Sequence, residues 1–281
     1  MKTVLITGAT SGVGLGMAKQ ISKMGHHLIL ACRNMDKAKK ILDDLKKATP
    51  SLKVDILALD LADIASIKQF SSELNEKFDS IDVLINNAGV FVDSNQKKKD
   101  GYDMTMGVNF LAQVLLTRLM IPMLKRSEHA RIINISSEAA LFGSLKVKGD
   151  LFTKQNKGFL AYSKSKLAQI LFNIDLAQEL KASDIIVNAV HPGKVATNIW
   201  QGESLMMKIM GPINMKKYMS PDQAAKIGVA VAMDDEYSNV TGKFYRAEGE
   251  MQYNKRCLDQ KLRSDLMDMT NSTVTKIMND K

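Results

Sequence analysis

Cysteine is nearly missing from this chain: Cys32 and Cys257 are the only two in 281 residues. They stand far apart and form no CxxC or zinc-finger spacing, which excludes a disulfide framework and a cysteine metal site. They read as free thiols of a reducing compartment, so a cytoplasmic location is the expectation. Also lacking is any run of about 20 apolar residues, and no membrane span is expected. The opening "MKTVLITGAT" reaches glycine before an apolar segment develops, which argues against a secretory signal. No proline- or serine-rich linker divides the sequence, and no internal repeat shows.

Charge of one sign is not segregated either. The formal net charge of +9 would suit an anionic ligand, yet the basic residues are interleaved with Asp and Glu. The one dense run, "QKKKDG" at 96–101, is bounded by loop residues, so no nucleic-acid partner is expected. His26, His27 and His129 lack metal-ligand spacing, and no metal is expected. What remains, 45% hydrophobic and 25% charged residues, is the balance of a globular protein with a substantial core.

Two kinds of segment alternate. Short β-branched or leucine-rich runs are "TVLIT" (3–7), "HLILA" (27–31), "KVDILALD" (53–60), "DVLIN" (82–86), "RIINIS" (131–136) and "IIVNAV" (185–190). Between them lie stretches with apolar spacing of three and four, such as "MDKAKKILDDLKK" and "IASIKQFSSELNEKF". Repeated strand–helix–strand units predict right-handed crossovers and a parallel sheet covered on both faces. The expected fold is therefore α/β: a single doubly wound domain, a parallel sheet of about seven strands with helices on both sides. Two regions depart from the rhythm: the polar, glycine-bearing 138–161, and 194–219, rich in methionine and holding the only tryptophan, Trp200.

Three features carry chemistry. "TVLITGATSGVGLGMAKQI" passes from a strand through Gly8, Gly12 and Gly14 into a helix, which lets backbone approach a pyrophosphate at a helix N-terminus. The second strand then ends "HLILACRN", with Arg33 where an acid would bind ribose hydroxyls. A guanidinium pairs with a phosphate and an acid would repel it, which favours NADP(H) over NAD(H). Finally, "AYSKSKLAQILF" sets Tyr162 and Lys166 four apart, on one helix face. Alone, such a pair is a weak signal.

Taken together, "TGATSGVG", "NNAG" (86–89), "GVNFLA", "INISS", "YSKSK" and "HPGKVAT" resemble the short-chain dehydrogenase/reductase family, in that family's order, from residue 3 to about 245. "LILACRN", the long Ser137–Tyr162 spacing and "HPGKVATN" resemble its retinol-dehydrogenase-like and protochlorophyllide-reductase-like branch. The resemblance implies a Rossmann-type catalytic domain over 1–246, a substrate lid near 194–219, and a C-terminal extension, 247–281, without a family counterpart. It implies catalytic residues Asn109, Ser137 (rather than Ser136), Tyr162 and Lys166. Cofactor contacts would come from Gly8, Ser11, Gly12, Val13, Gly14, Arg33, Asp60, Leu61, Asn87, Ala88, Gly89, Tyr162, Lys166, Pro192, Gly193, Val195 and Thr197. Asn86 would brace the turn, and His191 would be structural. Met206, Met207, Met210 and Trp200 would wall an apolar pocket.

The reaction implied is hydride transfer between nicotinamide and a carbonyl or alcohol, with Tyr162 as acid or base. A free phenol has a pKa of about 10. Lys166 is expected to favour the phenolate, and Asn109 to support a water on the proton path. A small-molecule, lipophilic carbonyl or alcohol is the expected partner; the family's helix pairing would allow a homodimer or tetramer. A non-catalytic NADP-binding redox sensor is the competing class. A sugar-nucleotide epimerase would need a larger C-terminal region.

Overall fold

The computed structural model describes residues 1–195 and 218–280. The chain runs β1 (Thr3–Thr7), α1 (Gly12–Lys23), β2 (His27–Cys32), α2 (Met35–Ala48), β3 (Val54–Ala58), α3 (Ile64–Lys77) and β4 (Val83–Asn86). A long helix α4 (Met104–Leu124) follows, widened into a π-helical segment at Gly107–Leu111. Then come β5 (Arg131–Ile135), α5 (Gly158–Glu179), β6 (Ile186–Val190), α6 (Pro221–Met233), β7 (Phe244–Arg246), β8 (Gly249–Glu250) and α7 (Gln260–Asn279).

All six strands read from the sequence are present, in one eight-stranded sheet ordered β3-β2-β1-β4-β5-β6-β7-β8. Strands β1 to β7 pair in parallel; β8 is antiparallel to β7. The inner strands alternate their side chains between two buried layers, as the period of two requires. Val4, Ile6, Val83 and Ile85 face α1, α2 and α6. Leu5, Leu84 and Ile132 face α3, α4 and α5. The last segment joins this second layer through Leu266, Met267, Val274 and Ile277 of α7.

Helix starts are written locally. Asn34 accepts from Lys37 N at 2.8 Å to cap α2, and Asp63 caps α3. Ser220 and Gln223 form a reciprocal capping box, with Pro221 in the first turn of α6. Contrary to the sequence reading, α4 has the length and mean hydropathy, 1.4, of a membrane span; most of it is buried, as a core helix would be.

Helices α1 and α6 approach through Gly16, where an added Cβ would lie 2.7 Å from the Pro221 carbonyl oxygen and 3.0 Å from Ala225 Cβ. Backbone cannot yield there as a flexible side chain can. Gly16→Ala is therefore expected to destabilise the fold by about 1–3 kcal/mol through overpacking, read as a lowered urea midpoint at unchanged slope.

Candidate active site

Every cleft-forming loop follows the carboxyl end of a strand, where doubly wound sheets place their ligands. The order reverses between β1 and β4, because the connections leave to opposite faces there. Into that crevice open the turn after β1, Arg33 after β2, Asp60 after β3, Asn87 to Val90 after β4, Ser136 and Ser137 after β5, and His191 to Gly193 after β6. Together they line a cleft of about 700 Å³.

The glycine turn is held from below. Thr7 Oγ1 accepts from the backbone N–H of Asn87 and of Ala88, both at 3.0 Å. Asn87 Nδ2 donates to Thr7 O at 2.8 Å and Gly8 O at 3.3 Å. Gly8 and Gly12 have φ of +67° and +54°. A Cβ on Gly14 would lie 2.4 Å from Asn87 Nδ2 and 2.5 Å from Gly8 O. Only glycine fits this close approach. Ser11 caps α1 without any side-chain bond, and no acid stands in that first turn. The leading N–H donors of α1 are thus left for an anion, and the residues fit a pyrophosphate.

At the far end of β2, exposed Arg33 lines the cleft with Asn34 and Lys37. Lys37 was not singled out from the sequence. Its signal was available, since it stands one helical turn after Arg33. Asp60 and Leu61 line the same end, and Asp60 Oδ1 also accepts from Ala62 N at 2.9 Å, closing its own turn.

The opposite end holds the titratable groups. Ser137 hydrogen-bonds the Tyr162 phenol, and its Oγ accepts from Ala139 N at 3.1 Å. Ser136 is turned away, donating to the Lys166 carbonyl at 3.3 Å. Lys166 Nζ donates to Ile135 O at 3.0 Å and lies 5.5 Å from the Tyr162 ring centre. The Phe91 ring packs against Tyr162 at 5.7 Å. Ser163 and Lys164 bond elsewhere, to Leu160 O and Asn156 Oδ1.

Burial decides the charges here. It pushes the Tyr162 phenol up to about 12, with the Ser137 bond opposing, and pulls the Lys166 ammonium down to about 7. Lys166 was expected to lower the phenol; desolvation is the largest influence on both groups and holds each toward its neutral form.

Two asparagines are fixed by hydrogen bonds, and the second differs from the sequence reading. Asn109, in the π-helical segment, accepts from Val90 N at 2.7 Å and donates to Val90 O at 2.9 Å and Ser165 Oγ at 3.1 Å. Its side chain clamps the β4 turn to α5. Asn86 does not brace the glycine turn. It is fully buried and donates to Thr117 Oγ1 and Asn134 Oδ1, while Asn87 does the bracing.

His191 is buried beside Glu138, Nε2 to Oε2 3.7 Å, and burial lowers its pKa. Pro192, Gly193 and Val195 line the cleft. Thr197, Trp200, Met206, Met207 and Met210 lie outside the described residues, as does most of the expected lid 194–219. Its two ends meet: Val195 bridges Met219. Among the described residues there is no cluster of metal-ligating side chains.

A glycine turn at the switch point of a parallel sheet, with a Tyr–Lys–Ser group across the cleft, is the build of a dehydrogenase with a nicotinamide cofactor. Comparison with known proteins makes this specific: the short chain dehydrogenase family profile matches residues 2–208, and the chain belongs to that family, on its retinol-dehydrogenase-like branch. Human retinol dehydrogenase 13 is 36% identical over 250 residues, covering 87% of this chain and 76% of the relative. Human polyprenol dehydrogenase is 33% identical over 284 residues, 96% and 85% covered. A crystal structure of an uncharacterised protein from Mycobacterium paratuberculosis superposes with a TM-score of 0.77 at 26% identity, covering 98% and 94%.

The buried Lys166 yields a stability prediction. Unfolded, a lysine binds its proton up to about pH 10.4; folded, it gives it up near 7. Between those values the unfolded state holds more protons, so stability rises with pH. Lys166→Met removes the buried ammonium. It is expected to raise the melting temperature of the ligand-free protein, with a larger gain at pH 6 than at pH 9.

Proposed function

We propose that this protein is an NADP(H)-dependent carbonyl reductase or alcohol dehydrogenase acting on a lipophilic substrate, with Tyr162 as the proton donor or acceptor. The observation that carries this is the convergence of Ser137, Tyr162 and Lys166 at one end of a cleft whose other end presents Arg33 and Lys37. The cofactor, when bound, supplies the hydride donor or acceptor.

The chain's own residues supply the rest. The free donors of α1 hold the pyrophosphate, and Arg33 with Lys37 meets the 2′-phosphate as a pair of cations that no acid at that position opposes. Ser137 presents a hydroxyl to the substrate oxygen as charge develops. Tyr162 keeps its proton through the neutral range, which suits delivery to a carbonyl oxygen. The Lys166 amino group carries N–H donors beyond the one given to Ile135, available to a ribose diol. Asn109 acts as a positioning residue, fixing the Val90 turn. The lipophilic substrate class is supported by relatives named for a retinol and a polyprenol, both apolar alcohols. On the same footing we place the enzyme in the cytoplasm, where buried Cys32 and Cys257 stay reduced. The redox-sensor alternative has no use for the Tyr–Lys–Ser convergence.

Two measurements test this reading. Titrated by nicotinamide fluorescence, NADPH should bind at least about tenfold tighter than NADH, about 1.4 kcal/mol, and Arg33→Ala should erase the margin; equal binding of the two cofactors by the wild type would overturn the selection. Second, Tyr162→Phe should lower turnover ~10²–10⁴-fold. In the wild type, alcohol oxidation should rise with pH, because the phenol must lose its proton, while carbonyl reduction stays flat through neutrality. A Tyr162→Phe protein with intact turnover would overturn the role given to Tyr162, and a wild type that binds NADPH without turning over any carbonyl or alcohol would leave only the sensor reading.

A further inference from the structure

Four large apolar side chains stand in solvent beside the proton-transfer end of the cleft. Phe142 is 67% exposed, Phe159 47%, Leu160 71% and Leu258 57%. Phe142 ends the short helix that begins just after Ser137, and Phe159 and Leu160 occupy the first turn of α5, three and two residues before Tyr162. The Phe142 and Phe159 rings meet at 6.3 Å, so these are one patch. The segment carrying Leu258 is tied to the same loop: Asn254 Nδ2 donates to Leu141 O and Arg256 to Gly143 O, both at 2.9 Å. Other exposed large apolar residues, such as Met24 and Met278, are single and distant in sequence.

Cations outnumber acids in the segments that carry the patch, where Glu138 and Asp259 are the acids nearest in sequence to Phe142 and Leu258. Lys146, Lys148, Lys154 and Lys157, all exposed, lie in the segment joining Phe142 to Phe159, which holds one acid, Asp150. Lys255 and Arg256 flank it from the C-terminal side. Contiguous exposed apolar side chains mark an interaction surface rather than ordinary solvent-facing structure. The charge selects the occupant. A second copy would bring an equally basic rim against this one, whereas an anionic bilayer complements it and accepts the aromatic and leucine side chains between its headgroups.

We infer that this rim docks the protein on the surface of an anionic phospholipid membrane, with the cleft mouth turned to the lipid so that a bilayer-dissolved carbonyl or alcohol enters without crossing water. This deepens the proposed function and rests on its lipophilic substrate. It needs no membrane-spanning segment, because the contact is interfacial.

Flotation of the full chain with phosphatidylcholine vesicles, with and without a third of phosphatidylglycerol, tests it. The wild type should float with the anionic vesicles and only weakly with the neutral ones. The triple variant Phe142→Ser, Phe159→Ser, Leu160→Ser should lose at least about tenfold in partitioning, and Met24→Ser should lose nothing. Replacing Lys146, Lys148, Lys154 and Lys157 with Gln should abolish the anionic preference. Circular dichroism and NADPH fluorescence establish that each variant is folded. A wild type left at the bottom of the gradient overturns the inference, as does a triple variant that floats equally well. A dimer that sedimentation detects and the triple variant abolishes also overturns it, in favour of a second copy. Reduction of a small water-soluble aldehyde by NADPH reads the proposed activity separately, so a wild type that turns over this aldehyde and yet does not float sinks the docking alone.

Discussion

The cleft hangs on the knot around Thr7. This fully buried hydroxyl accepts from Asn87 and Ala88, and Asn87 returns bonds to Thr7 O and Gly8 O. The knot ties the carboxyl ends of β1 and β4 together at the position where the sheet reverses its order and opens a crevice. It also starts a chain of contacts. The segment leaving the knot reaches Val90, held by Asn109; Asn109 donates to Ser165, and Ser165 donates to the Tyr162 carbonyl at 2.7 Å. Gln113 secures the middle through Ala88 O at 2.8 Å. One continuous set of hydrogen bonds thus fixes the distance between the anion-binding turn and the phenol.

That rigidity supports a site which works against stability. Tyr162 and Lys166 are both buried, and each is held toward its neutral form. A buried ammonium with one carbonyl partner at 3.0 Å is poorly compensated for lost hydration. Such arrangements persist where surrounding packing over-determines them, and α5 is anchored along its length by apolar contacts to α4 and β6. The opposite end of the cleft costs little by comparison, because Arg33 and Lys37 stay in water. Burial at one end and exposure at the other follow from the sheet: β5 lies inside it, and only β3 separates β2 from the edge.

Most of the frame was legible in the sequence. Six strands matched to within about two residues because parallel strands buried on both faces read as unbroken apolar runs. Strand β8, two residues long, carries too little pattern to be seen, and α7 needed the sheet to show what its apolar stripe covers. At the site, residue types and spacing pointed to the glycine turn and Arg33, the family resemblance added Ser137 and gave weight to the Tyr162–Lys166 pair, and all of them line one cleft. What spacing does not encode is which of two adjacent residues points where. Adjacent strand-end residues face opposite sides, so exchanging the bracing role between Asn86 and Asn87 needs a rotation invisible to a motif. The Tyr162–Lys166 electrostatics were misjudged for a related reason: separation along a helix is readable, whereas desolvation depends on everything packed around it.

The C-terminal helix bears on how this chain meets copies of itself. Arg118 of α4 pairs with Glu179 of α5 and also reaches Asn271 of α7 at 3.3 Å, while Arg263 of α7 lies 3.8 Å from Asp175 of α5. Beneath these polar contacts, Leu266, Met267 and Val274 are buried in the layer formed by α4 and α5. Part of the surface through which α4 and α5 would pair between subunits is therefore already covered from within the chain. Any dimer built on those helices has to use what α7 leaves, or displace a helix whose apolar side chains are buried. The apolar rim around Phe142 lies at the other end of α5, beside its first turn, and α7 leaves those side chains exposed. The same helix thus presents two different boundaries: one closed by the chain's own C-terminal segment, the other open beside the groups that move the proton.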